Sequence, residues 1–261
     1  GDNTGHGQYA VGGDMEKKVK VQVRDLTKKF GDLLVLNHMD FDVEEGDLLC
    51  VVGPTGCGKT TFLNSLTKIY DITEGQILLD GREVDPKVNN MAYIFQGNST
   101  MPWLTVEKNV SFGLDIKKVP SARKKELVDK YLDIVGLAEY RNYYPNQLSS
   151  SMLQRVGIAR AFATEPELLL MDEPYGQLDI ELRFKLEDEL VKLWQMTKTT
   201  VIFITHNIEE AVYLGNKIMV LTNKPTTVKT TLTNSMPRPR DVTSKEFVEL
   251  RNKVTDLIKW W

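Results

Sequence analysis

The stretch "LLCVVGPTGCGKTT", Leu48 to Thr61, decides the fold. Its first five residues are an unbroken apolar run, as in a strand buried on both faces. A glycine-rich turn follows, and then a helix expected over about Lys59 to Lys68. Between strand and helix, "GPTGCGKT" fits the spacing G-x-x-x-x-G-K-[ST]. Small residues let the backbone curl until several N–H groups point at one anion. The helix N-terminus adds partial positive charge. Gly53, Pro54, Thr55, Gly56, Cys57, Gly58, Lys59, Thr60 and Thr61 therefore read as a cradle for nucleotide phosphates. Lys59 would reach the outer phosphates, and the Thr60 hydroxyl would ligate Mg2+. The alternative is a plain glycine-rich turn, which the flanking strand and helix argue against. Cys57 reads as a small filler, since no base is near it in sequence to make a nucleophile.

Upstream of this stretch, "KVKVQV" (Lys18 to Val23) alternates like a half-buried strand. A second strand region spans Val35 to Val43, and "EEGD" (Glu44 to Asp47) reads as a turn. Downstream, "QILLD" (Gln76 to Asp80) and "MAYIF" (Met91 to Phe95) read as strands. From Val106 to Ala163 the pattern is mostly helical, punctuated by Pro120 and Pro145. Strand and helix then alternate again. "ELLLMD", "TVIFIT" and "KIMVLT" are apolar strands. Leu182, Leu186, Leu190 and Leu193 stripe one helix, Ile208 to Leu214 form another, and Phe247, Leu250, Val254 and Leu257 mark a last one. This alternation predicts an α/β fold with a mainly parallel sheet and a helical insertion at about 97–163.

Composition narrows the function classes. A chain of 261 residues with 41% hydrophobic content can bury a sizeable core. A net charge of -3 does not suit a basic nucleic-acid binder. Cys50 and Cys57 form neither a disulfide framework nor a metal-ligand pattern, which points to a reducing cytosol. Runs such as "LLLM" and "VIFI" are far too short to span a bilayer, so any membrane role requires another chain. Residues 1–14 read as a disordered or non-native tail without a secretory signal, with Met15 as the native start and one domain over 15–261.

A phosphate cradle needs a metal partner and a group to orient water. The strand "LLLMD" delivers Asp172 at its carboxyl end, where open α/β sheets place their ligands. Asp172 would hold Mg2+, and the adjacent Glu173 would polarise or deprotonate the water. His206 follows "TVIFIT" and, in a parallel sheet, shares that edge; a simple cap is its other reading. Gln96 ends "MAYIF", where its amide can ligate Mg2+ or be an ordinary strand-end residue. His38 and His6 have no comparable setting.

The order of these features, with "LSSSMLQR" (Leu148 to Arg155) and "GQLD" (Gly176 to Asp179) among them, resembles the nucleotide-binding subunit of ATP-binding cassette (ABC) transporters from about Lys18 onward. "RVGIARAFATEPELLLMDEPYGQLD", "THNIEEAVYLGNKIMVL" and "PRPRD" (Pro237 to Asp241) look closest to importers of nitrate, sulfonates and taurine. The resemblance implies a P-loop NTPase core with an N-terminal antiparallel β subdomain and an inserted α-helical subdomain. It also implies ATP and Mg2+ as ligands. Phe30 in "KKFGD" would stack on adenine, although it can equally be a core residue. Partners would be a second copy of the chain, transmembrane permease subunits and, indirectly, a solute-binding protein, at the cytoplasmic face of the plasma membrane. The permease would dock around "GNSTMPWLTVEKNV" (Gly97 to Val110), whose apolar Met101, Pro102, Trp103 and Leu104 can instead be buried in the insert.

The family signature begins a helix that meets the terminal phosphate held by the other subunit, and Asp179 in "GQLD" counts among the nucleotide-binding residues that the resemblance implies. Here that signature reads Leu148, Ser149, Ser150, Ser151, Met152. Ser149 fits the pattern. Ser150 and Ser151 replace two glycines, where a Cβ would block close approach or force unfavourable dihedrals. The expectation is normal nucleotide binding with weakened closure or hydrolysis. Three rivals stand beside this reading. A GTP switch would need Asp where "TNKPT" (Thr222 to Thr226) has Thr226. A small-molecule phosphotransferase leaves Ser149 and His206 without duties. A soluble, non-transport ABC ATPase usually has two cassettes or long coiled-coil insertions.

Overall fold

Residues 17–54, 56, 58–96 and 100–259 are described by a computed structural model. Residues 1–16, Thr55, Cys57, residues 97–99 and residues 260–261 lie outside them. Two twelve-residue strands come first, β1 (Val19–Phe30) and β2 (Leu33–Glu44), paired antiparallel. Gly31 and Asp32 close this hairpin, with Gly31 at φ 59°, a region glycine enters without a Cβ clash. β3 (Leu48–Val52) is buried along its whole length and leads to α1 (Lys59–Leu66). β4 (Glu74–Leu79) and the short β5 (Arg82–Glu83) complete an antiparallel sheet in the order β2-β1-β4-β5.

After β6 (Met91–Ile94) come α2 (Val106–Ile116), α3 (Ser121–Ile134) and α4 (Ser150–Ala163), which pack on one another. Strands and helices then alternate: β7 (Leu168–Asp172), α5 (Ile180–Thr197), β8 (Thr200–Ile204), α6 (Ile208–Leu214) and β9 (Lys217–Leu221). β10 (Val228–Thr233) and α7 (Lys245–Ile258) end the described chain. The second sheet runs β10-β9-β3-β8-β7-β6, parallel throughout except for β10 against β9.

The central strands explain their own apolar runs. Leu48, Cys50, Val52, Leu169, Met171, Val201 and Phe203 face one core together with the helices of the second half. Their neighbours Leu49, Val51, Leu168, Leu170, Ile202 and Ile204 face a second core with α1 and the antiparallel sheet. With both faces covered, alternation disappears, and each fully buried Val, Leu or Ile contributes roughly 1.5–3 kcal/mol.

The first strand reaches Phe30 rather than stopping near Val23. Register shifts on both sides of Leu26, with Asp25 at φ 54°, carry it past the break in its alternation. β5 and β10 were not expected. β10 alternates half-buried and exposed residues at the sheet edge and is rich in threonine rather than large apolar residues.

Candidate nucleotide site

Three neighbouring strands, β3, β8 and β7, bring their carboxyl ends to one edge, and each carries one part of the site. Beyond β3 lie Gly53 and Pro54, then the turn with Gly56 at φ 76° and Gly58 at φ 90°. Gly58 begins α1, and its carbonyl accepts from the Phe62 N–H at 2.9 Å. A Cβ on Gly58 would sit 3.2 Å from Val35 Cγ1, so both its backbone angle and its surroundings call for glycine. No side chain caps α1 and no acid stands in its first turn. The amides around Lys59, Thr60 and Thr61 are thus left for an anion.

β7 ends at Asp172, and Glu173 follows at φ 44°, its N–H donating to the Ile204 carbonyl at 2.8 Å. A left-handed glutamate costs about 1–2 kcal/mol, and here the bond to β8 holds it. Its Oε1 lies 2.9 Å from His206 Nδ1 and 3.5 Å from Lys59 Nζ. The Lys59 ammonium also reaches the Thr205 carbonyl at 3.5 Å. Lys59, Glu173 and His206, scattered over the sequence, therefore form one contiguous group. Burial, and then the neighbouring Glu173, raise the Asp172 carboxyl above its ordinary value, against the pull of Lys59.

Gln96 lies just past β6, beside β7. Its Nε2 is 3.2 Å from where a Cβ on Gly176 would stand, so the amide rests on the turn after Glu173. Phe30 is not a core residue. It is 43% exposed at the end of β1. Tyr70 meets it edge-on at 5.5 Å, and Lys28 Nζ stands 5.0 Å from its centroid. Tyr70, Lys28 and Thr205 are neighbours that the sequence reading did not single out. Only Thr205, next to His206, carried a local signal.

Ser149 caps α4, its hydroxyl accepting from the Met152 N–H at 3.3 Å. Asp179 caps α5 through Leu182 N–H at 2.9 Å. Both hold helix starts, as their residue types favour. Among the described residues, no hydrogen bond or ion pair joins Ser149, Ser150 or Ser151 to Lys59, Glu173 or His206. The expected dihedral penalty at Ser150 and Ser151 is not found. Both belong to α4 and neither has positive φ, so the backbone there does not require glycine. Ser151 Oγ is buried with no hydrogen-bond partner. Met101 and Leu104 are partly buried, whereas Trp103 is 72% exposed.

A parallel sheet with a glycine turn, a helix start, a lysine and strand-end acids at one edge defines a phosphate-loop nucleotide-binding protein. The ABC transporter family matches residues 36–176. Over 246 residues the chain is 44% identical to an uncharacterized ABC transporter ATP-binding protein of Methanocaldococcus jannaschii, spanning 93% of this chain and 92% of that one. It is 38% identical over 238 residues to the aliphatic sulfonates import ATP-binding protein SsuB of Bacillus cereus, spanning 90% and 94%. Among solved structures, cbiO1 from Clostridium perfringens, part of the ABC transporter complex cbiONQ, is similar with a TM-score of 0.76. That likeness, at 23% identity over 89% of this chain and 93% of the other, shows the fold. The chain belongs to the ABC transporter family, as one of its ATP-binding subunits, and these subunits are ATPases.

Proposed function

We propose that the chain powers uptake of a small anionic solute, with a sulfonate, nitrate or taurine as the class, through separate permease subunits. The observation that carries the catalytic part is the contact of Glu173 with both Lys59 and His206. The solute class rests on the similarity to the sulfonate-import protein of Bacillus cereus.

The loop amides and Lys59 bind the ATP phosphates. Lys59 then exchanges its long contact with Glu173 for phosphate oxygen. That frees one side of the Glu173 carboxylate to accept a proton from the attacking water, while His206 keeps the other side oriented. The donor set at the metal position fits Mg2+. Asp172 offers a half-buried carboxylate, Thr60 a hydroxyl and Gln96 an amide oxygen, all hard oxygen donors. A cation beside Asp172 would also offset the burial that raises its pKa. Bound there, Mg2+ would neutralise developing phosphate charge.

The Ser149 turn and Asp179 complete the site of a second copy, so the working unit is a pair of chains around two nucleotides. The chain sits at the cytoplasmic face of the membrane. No helix among the described residues is long and apolar enough to cross it. The permease docks on the α2–α3 face, at a groove of about 760 Å3 lined by Trp103, Leu104, Phe112, Ile116 and Val128.

Phosphate release by the purified chain with ATP and Mg2+ tests the catalytic assignment. Lys59→Ala is expected to weaken ATP binding at least tenfold, a loss of about 1.4 kcal/mol or more. Glu173→Gln is expected to keep ATP binding and lose nearly all release. Turnover near the wild-type rate in Glu173→Gln removes Glu173 from its role.

A further inference from the structure

The connection between β9 and β10 folds back onto the phosphate loop. Thr226 is its anchor. The Thr226 N–H donates to the Val35 carbonyl at 2.7 Å, the Asn37 N–H donates to the Thr226 carbonyl at 2.8 Å, and the residue is fully buried. From this anchor Lys224 reaches Gly58. A Cβ on Gly58 would lie 3.7 Å from Lys224 Cε and 3.4 Å from Thr226 Oγ1. The Lys224 ammonium is one bond beyond that carbon, beside the residue that precedes Lys59.

The two lysines are differently placed. Lys59 is engaged by Glu173 and the Thr205 carbonyl. Lys224 is exposed, and among the described residues it makes no hydrogen bond or ion pair. Val35, which also borders Gly58, lies two residues along β2 from Leu33, the strand partner of Phe30. Lys224 therefore borders the phosphate turn on the side of β2, the strand whose Leu33 pairs with Phe30. A free ammonium held against an anion cradle by a fixed anchor has one evident ligand, the polyphosphate of the nucleotide itself.

We propose that Lys224 is a second phosphate-binding lysine, reaching bound ATP from outside the phosphate loop and adding affinity by charge. This rests on the reading of the loop as the ATP site. Its contribution is electrostatic and solvent-exposed, so it is modest and sensitive to salt.

Titration of the full chain with ATP at low and high salt, for wild type and for Lys224→Met, Lys224→Ala and Lys224→Arg, tests it. Lys224→Met keeps the apolar stem over Gly58 and removes the charge. It and Lys224→Ala are expected to weaken ATP binding by about threefold to tenfold at low salt, with the gap narrowing at high salt. Lys224→Arg should bind within about twofold of wild type, since it keeps the charge. If wild type binds ATP and Lys224→Met matches it at low salt, this inference alone falls, and Lys224 merely covers the glycine. If wild type itself does not bind ATP, the reading of the site falls with it.

Discussion

Gly58 and Glu173 occupy the same unusual backbone region for opposite reasons. At Gly58, φ 90° strains any side chain, and a Cβ would crowd Val35 at 3.2 Å. Gly58→Ala should therefore lower stability by about 1–2 kcal/mol and weaken ATP binding, read by thermal unfolding and nucleotide titration. At Glu173 the same region carries a side chain, whose carboxylate meets Lys59 and His206. The serines of the α4 start present a different balance. Their helical backbone suits serine, while the close approach of a second copy that we propose would suit glycine. Replacing Ser150 and Ser151 by glycine should raise ATP turnover and lower the stability of the free chain by about 1–2 kcal/mol, measured by phosphate release and by denaturant unfolding. Unchanged turnover would mean that the two Cβ atoms obstruct nothing.

At the level of elements, α5 follows the end of β7 and α6 the end of β8, and the two helices meet through a pair of acids. Glu187 on α5 and Glu210 on α6 are 2% and 5% exposed. Burial first, and then the hydrogen bond with Glu210, push Glu187 up to about 10 from an ordinary 4.5. The unfolded chain releases this proton above 4.5 while the folded chain keeps it. Its stabilising share is complete below that pH and is lost as pH rises toward 10. Glu187→Gln should flatten this decline, which reaches at most about 1.4 kcal/mol per pH unit, and should be more stable than wild type at pH ~8. Denaturant unfolding at several pH values reads it, and a parallel decline in both proteins would count against the assignment.

The far end of α6 is held by Arg240. Its guanidinium donates to the carbonyls of Val212, Tyr213, Gly215, Asn234 and Met236. Arg240→Ala would leave buried carbonyls without donors and should cost about 3 kcal/mol or more, visible in the melting temperature. "PRPRD" drew notice in the sequence only by resemblance, because a clamp on a helix end leaves no periodic signal. The central strands were legible because burial on both faces writes a continuous apolar run. β10 was not, since an edge strand of threonines lacks that run. The phosphate loop and the acidic strand end were legible from spacing. Tyr70 beside Phe30 was not, because only the docking of the segment after α1 on β1 brings it there.

For the whole molecule, the decisive feature is that β3, β8 and β7 end side by side, so one sheet edge gathers the loop, the acids and His206. The proposed mechanism asks for one further part at that edge, the Ser149 turn. Ser149 caps its own helix, and among the described residues no hydrogen bond or ion pair joins it to Lys59, Glu173 or His206. On the proposed reading, a second copy brings it. Light scattering on the Glu173→Gln chain, with saturating ATP and Mg2+, tests this most directly. The expected result is a mass that doubles when nucleotide is added and returns to that of one chain when it is removed. A single-chain mass in the presence of bound ATP would contradict the account.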